Sequence, residues 1–201
     1  MNKNNFGGTA MKLFFVRHGQ TKANNQRIYV GQSDVPLTDA GREQARRIRP
    51  ILEKFPFDKV YTSDLSRAYE TQQLALPFEG AIHTKLLREM DVGTAQGQLY
   101  GEPFKNISAE EKKTKGYTLF GGESRAMVCD RVREFFKELE ADPCEYVAAF
   151  AHAGLINCAA QVVLDSGSLA GKVSSPNCGI HVFEFKDGVW QLLAWNYMGD
   201  I

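Results

Sequence analysis

Short apolar runs alternate with amphipathic segments along this chain, and the alternation predicts its elements. Lys12-Leu-Phe-Phe-Val16 is a continuous apolar run, as expected of a strand buried on both faces. Past a polar loop, Thr38 is placed to cap a helix in which Ala45, Ile48, Leu52 and Phe55 share a face, with Pro56 as its stop. Residues 57–61 predict a second strand, 66–76 a second helix closed by Pro77, and 81–86 a third strand. The stretch 87–122 is mixed and rich in Gly, Lys and Glu, with one short helix over 108–115. Gly121-Gly-Glu-Ser124 leads into a helix whose apolar face is Val128, Val132, Phe135 and Leu139. Residues 146–150 are a fourth buried strand, followed by an apolar helix over 154–164. Segments 180–185 and 189–195 flank Lys186-Asp-Gly188, which is a hairpin signal. Strands alternating with helices predict a three-layer α/β/α fold, with a mostly parallel sheet and an antiparallel strand near the C-terminus.

In such sheets ligands bind beyond the carboxyl ends of the strands. The first strand is followed by Arg17-His18-Gly19-Gln20-Thr21 and the second by Thr62-Ser63-Asp64-Leu65-Ser66-Arg67. Arg88-Glu89 follows the third and His152-Ala153-Gly154 the fourth. Two arginines can clamp a phosphoryl group by bidentate hydrogen bonds and stay charged at any working pH. The helix start after His152 offers backbone N–H groups to the same anion. A neutral imidazole at His18 can attack phosphorus, and Glu89 can hold a proton for the leaving oxygen. No metal or cofactor is called for, because the cations do the electrostatic work.

Composition narrows the partners. The 201 residues carry 24 Lys+Arg and 24 Asp+Glu, a formal net charge of zero. That balance gives no general field for nucleic acid or an anionic membrane, so affinity for phosphate must come from a few local cations. At 43% hydrophobic and 24% charged the chain is not a disordered one. No apolar run approaches the roughly 20 residues that span a bilayer. Residues 1–10 are polar and glycine-rich without an apolar h-region, and read as an N-terminal extension and not a secretory signal. The four cysteines, Cys129, Cys144, Cys158 and Cys178, include no CxxC pair and read as thiols in a reducing cytoplasm. None has Arg six positions later, and no GxxxxGK[ST] is present, which excludes thiolate-phosphatase and P-loop chemistry. His83 and His181 fit strand positions and read as structural or exposed. Arg42, Arg46, Arg47 and Arg49 read as a solvated helix face partly paired with Glu43. Tyr29, Tyr100, Tyr117 and Phe120 fall in loops that could wall a pocket.

Several blocks, taken in order, resemble the histidine phosphatase (phosphoglycerate mutase-like) superfamily. They are Arg17-His18-Gly19 with Thr21 and Asn24, then Asp34-x-Pro36-Leu37-Thr38-x-x-Gly41, then Ser63-Asp64-Leu65-x-Arg67-Ala68-x-x-Thr71. Leu87-x-Glu89, Gly121-Gly122-Glu123-Ser124 and the His152 segment complete the set, and the resemblance runs from Met11 to Trp195. It implies a single phosphoglycerate mutase-like catalytic domain over 11–201. It also implies that His18 becomes a phosphohistidine while Glu89 is proton donor and then base for water. Arg17, Asn24, Arg67 and His152 would form the phosphate pocket, with Thr21 and Ala153 as further contacts. The chain departs from the family at Ala153, where Gly is usual beside the histidine, at Gln20 for Glu, and at Ala95-Gln96 for Trp-Glu. These departures leave the core catalytic side chains intact and bear on the substrate pocket.

Three functions can be built on these residues. The leading expectation is a metal-independent phosphomonoesterase for a small cytosolic metabolite. A phosphoglycerate mutase would use the same residues but return the phosphoryl group to substrate. It calls for a longer insertion than the roughly sixty residues between Glu89 and His152, and for a tail that closes the site where this chain stops at Ile201. A phospho-ligand binding module without catalysis would lack His18 or Glu89, and both are present.

Overall fold

The computed structural model describes residues 10–142, 144–169 and 172–199. The extension read at 1–10 thus lies, except for Ala10, outside the described residues. In chain order the elements are β1 (Met11–Arg17), α1 (Lys22–Gln26), α2 (Asp39–Leu52), β2 (Lys59–Ser63), α3 (Ser66–Ala75) and β3 (Ile82–Thr84). Then follow α4 (Ala109–Lys115), α5 (Arg125–Ala141), β4 (Tyr146–Ala151), α6 (Ala153–Val163), β5 (Ile180–Lys186) and β6 (Val189–Trp195). Four short 3-10 turns lie between β3 and α5.

The six strands form one sheet in the order β3-β2-β4-β1-β5-β6. β1, β2, β3 and β4 run parallel, while β5 pairs antiparallel with β1 and β6 antiparallel with β5. Side chains of β1 alternate between two cores. Leu13 and Phe15 join Val128, Val132, Phe135 and Leu155 on the α5–α6 side. Phe14 and Val16 join Ala45, Leu52, Val60 and Phe150 on the α2–α3 side. That two-sided burial is why β1 reads as an uninterrupted apolar run.

Several boundaries differ from the sequence reading. α2 tolerates Pro50 in its last turn and ends at Leu52, so Phe55 lies beyond it and packs against Phe14 with ring centroids 4.5 Å apart. β2 runs to Ser63, which makes Thr62 and Ser63 strand residues. β3 has only three residues, because a 3-10 turn takes over at Lys85. α1 falls where the sequence predicts a polar loop: its residues KANNQ carry no apolar face, and a capping box between Thr21 and Asn24 starts it instead.

The loop after β1 packs directly on the start of α2. A Cβ on Gly41 would stand 2.2 Å from the Gln20 carbonyl oxygen, and one on Gly19 2.4 Å from that of Gly41. Gly41→Ala therefore destabilises the fold by about 1–3 kcal/mol through forced backbone shifts. A lower urea midpoint at unchanged m value is the expected readout; an unchanged midpoint would show that this approach is loose.

Candidate active site

Parallel pairing of β1 with β4 sets the heart of the site. Arg17 lies opposite Ala151, so the next residues, His18 and His152, leave the sheet side by side. Their ring centroids are 5.1 Å apart. His18 Nδ1 lies 2.6 Å from the Gly19 carbonyl oxygen. A carbonyl only accepts, so Nδ1 carries the proton and Nε2 keeps its lone pair. Burial pulls the His18 pKa well below its ordinary 6.5, and the charges of Arg67 and Arg17 pull it further. The ring is therefore neutral at working pH.

A second relay orients His152. Ser63 Oγ accepts from the Leu65 N–H at 3.3 Å and lies 2.9 Å from His152 Nε2. His152 Nδ1 is buried and without a partner. Burial, followed by Arg67, His18 and Arg17, lowers the His152 pKa well below 6.5.

Arg17 donates to the Ser175 carbonyl, and its Nε is buried and unpartnered. Arg67, from the first turn of α3, donates to the carbonyls of Ser33 and Gly31, each at 2.8 Å. Glu89 is reached from the other side of the crevice. Its Oε1 accepts from the Met90 N–H at 2.8 Å and its Oε2 from the Gly154 N–H at 3.1 Å. The second N–H of α6 is thus taken by Glu89, which narrows the backbone offer expected there for an anion. A Cβ on Gly154 would stand 2.3 Å from Glu89 Oε1.

These residues line a cavity of about 200 Å³, together with Thr21, Asn24 and Ala153. His152 packs behind, against His18. Thr21 and Asn24 are occupied in the α1 cap: Asn24 Oδ1 accepts from the Thr21 N–H at 3.0 Å and from its hydroxyl at 3.1 Å. Tyr29, Tyr100 and Tyr117 wall the cavity, with Tyr29 4.7 Å from Tyr100 and 5.4 Å from Tyr117. Phe120 stands behind that wall, 5.2 Å from Phe104. Gln20 Oε1 accepts from Thr38 and Asn25 in the loop after β1, and Ala95 is buried in a 3-10 turn. His83 is exposed beside Tyr69, and His181 is buried against Ser175 at 2.8 Å. Arg47 pairs with Glu43 at 3.4 Å.

Sequence reasoning missed the supports. Arg131 donates to both oxygens of Glu123 at 2.9 and 3.0 Å, and to the carbonyls of Leu86 and Arg88 at 2.9 and 3.1 Å. Glu123 in turn accepts from the Asp91 N–H at 2.8 Å, so the pair clamps both flanks of Glu89. Asn177 donates to the His18 carbonyl at 3.0 Å and Asn24 Oδ1 at 3.3 Å. The available signal for Arg131 was its place on α5 between the core residues Val128 and Val132. Asn177 carried none. All four cysteines are free; the neighbouring Cys158 thiol lowers the pKa of Cys129. Among the described residues no group of three or more His, Cys, Asp or Glu could hold a metal ion, and no helix is long and apolar enough to cross a membrane.

Two arginines, two histidines and a carboxylate gathered at the strand ends of a three-layer sheet define a phosphoryl-handling α/β protein. The chain belongs to the histidine phosphatase superfamily (branch 1), whose sequence pattern matches residues 13–198. It is 30% identical to phosphoglycerate mutase-like protein 4 of Arabidopsis thaliana, over 94% of this chain and 85% of that one. It is 28% identical to the adenosylcobalamin/alpha-ribazole phosphatase of Salmonella typhimurium, over 91% and 90% of the two chains. Among solved structures, mycobacterial glucosyl-3-phosphoglycerate phosphatase superposes with a TM-score of 0.80 at 26% identity, covering 94% of this chain and 100% of that one.

Three buried histidines make stability pH-dependent. His18 and His152 sit well below 6.5 and His181 is pushed down to about 3, by burial first in each case. Below pH 6.5 the unfolded chain therefore binds protons that the folded one refuses, and stability falls as pH falls. The loss is about 1.4 kcal/mol per histidine between pH 7.5 and 5.5. Thermal melts across that range should show a steadily falling Tm; a flat profile would mean that the rings reach solvent.

Proposed function

We propose that this protein is a phosphomonoester hydrolase that passes the phosphoryl group of a small phosphorylated metabolite through His18, without need of a metal ion. One observation carries the reading: a buried, neutral His18 with a free Nε2 faces the same cavity as Arg17, Arg67 and Glu89. Nε2 attacks phosphorus and forms the P–N bond as the bond to the leaving oxygen breaks. Protonated Glu89 gives its proton to that oxygen, and the alcohol departs. The Glu89 carboxylate then takes a proton from water, whose oxygen attacks phosphorus. The P–N bond breaks, and inorganic phosphate and neutral His18 are restored.

The unpartnered Nε of Arg17 is a donor suited to an equatorial oxygen, and both guanidinium groups supply charge where it develops. The phosphatase names carried by the Salmonella and mycobacterial relatives support hydrolysis. The Arabidopsis relative carries a mutase-like name, so transfer back to substrate is the second reading.

Release of phosphate from para-nitrophenyl phosphate in the presence of EDTA is expected. His18→Ala should abolish it, and Glu89→Gln should slow it by about 10²–10⁴-fold. Full activity in His18→Ala, or loss in EDTA reversed by added metal, would overturn the mechanism. If 3-phosphoglycerate with a bisphosphoglycerate primer is isomerised faster than it is dephosphorylated, the mutase reading replaces the hydrolase.

A further inference from the structure

One cation of the cavity is left over from the phosphoryl chemistry. Arg125, the first residue of α5, is half-buried and lines the same cavity as Glu89, Tyr100 and Tyr117. Its Nη1 donates to the Cys158 thiol at 3.5 Å, and a thiol is a weak acceptor. The ion pairs among the described residues do not include it. This contrasts with its helix neighbours, for Arg131 is clamped to Glu123 and Arg133 to Asp130. A cation on the first turn of a helix also opposes the macrodipole, an arrangement that an incoming anion relieves.

We propose that Arg125 binds a carboxylate of the substrate, so that this protein selects small phosphomonoesters that carry a carboxylate near the phosphate. The proposal deepens the hydrolase reading above and rests on it. Arg17 and Arg67, with His18 beside them, serve the transferred phosphoryl group, and Arg125 faces the remainder of the molecule. A planar guanidinium matches a carboxylate by two parallel hydrogen bonds. A second phosphate would bring nearly two charges to this one arginine, in a cavity that already holds the Glu89 carboxyl. At about 200 Å³ the cavity is also smaller than the roughly 300–1,000 Å³ of drug-sized sites, which fits a short-chain acid.

The test compares 3-phosphoglycerate with glycerol 1-phosphate, which keeps the three-carbon skeleton but has CH2OH for the carboxylate. The wild-type protein should favour 3-phosphoglycerate in kcat/KM by about tenfold or more, the scale of a charge-assisted hydrogen bond. Arg125→Gln should bring the two substrates within about threefold of each other, mainly through KM for 3-phosphoglycerate, and Arg125→Lys should restore part of the preference. A preference that survives in Arg125→Gln overturns the assignment, as does a wild-type protein indifferent to the carboxylate. A third arm pairs 1,3-propanediol bisphosphate with its monophosphate. An Arg125-dependent preference for the bisphosphate that exceeds the one for 3-phosphoglycerate overturns the carboxylate in favour of a second phosphate. Failure of the hydrolase reading is distinct, since it removes His18-dependent release from para-nitrophenyl phosphate as well.

Discussion

Two guanidinium groups buried against carbonyl oxygens are the constraint on which the structure depends. Arg67 is 2% exposed and is held by the Gly31 and Ser33 carbonyls, while Arg17 is held by that of Ser175. Desolvation lowers the pKa of both, yet an arginine keeps its proton. Carbonyl dipoles orient such charges without cancelling them, which leaves a positive field for a phosphoryl group. The same field, added to burial, keeps His18 and His152 neutral. The cations that suit an anion thus also keep His18 unprotonated.

Holding that charge requires distant pieces of chain. The carbonyls come from the loop before α2 and the loop before β5, and Asn177 ties the latter to His18 and Asn24. On the opposite side the Arg131–Glu123 pair fixes the backbone around Glu89, and Arg88 grips Asp64 through two contacts of 2.7 and 2.6 Å. At the start of α6, Ala153 stands where the family usually has Gly, and it lines the cavity without displacing the carboxylate. Gly154 is the position that tolerates no side chain, because Glu89 occupies the space its Cβ would need.

Much of this was legible from residues alone. β1 reads as a two-sided strand because Leu13, Phe14, Phe15 and Val16 are all buried. The apolar face of α5 and the Asp-Gly hairpin are local signals, and the structure keeps both. His18, Arg67, Glu89 and His152 stood out because they follow strands of a predicted parallel sheet. Where local signals misled, packing decided: the spacing of Phe55 predicts a helical residue, but it lies beyond α2 and packs against Phe14. Polar α1 had no apolar period to find and rests on its cap.

The sequence by itself therefore determined the order of elements, the two-sided sheet and the chemical identity of the groups at its rim, since these follow from periodicity and residue type. Tertiary structure alone decided the strand order, which puts β4 beside β1 and so His152 beside His18. It also decided the His18 tautomer, through Gly19, and the supports from Arg131, Asn177 and Ser175. Those contacts join residues far apart in the chain, and no local pattern of polar and apolar positions encodes a pairing across that distance. The same holds for Arg125, an ordinary helix residue by sequence, which becomes a cavity cation only once α5 is packed beside α6.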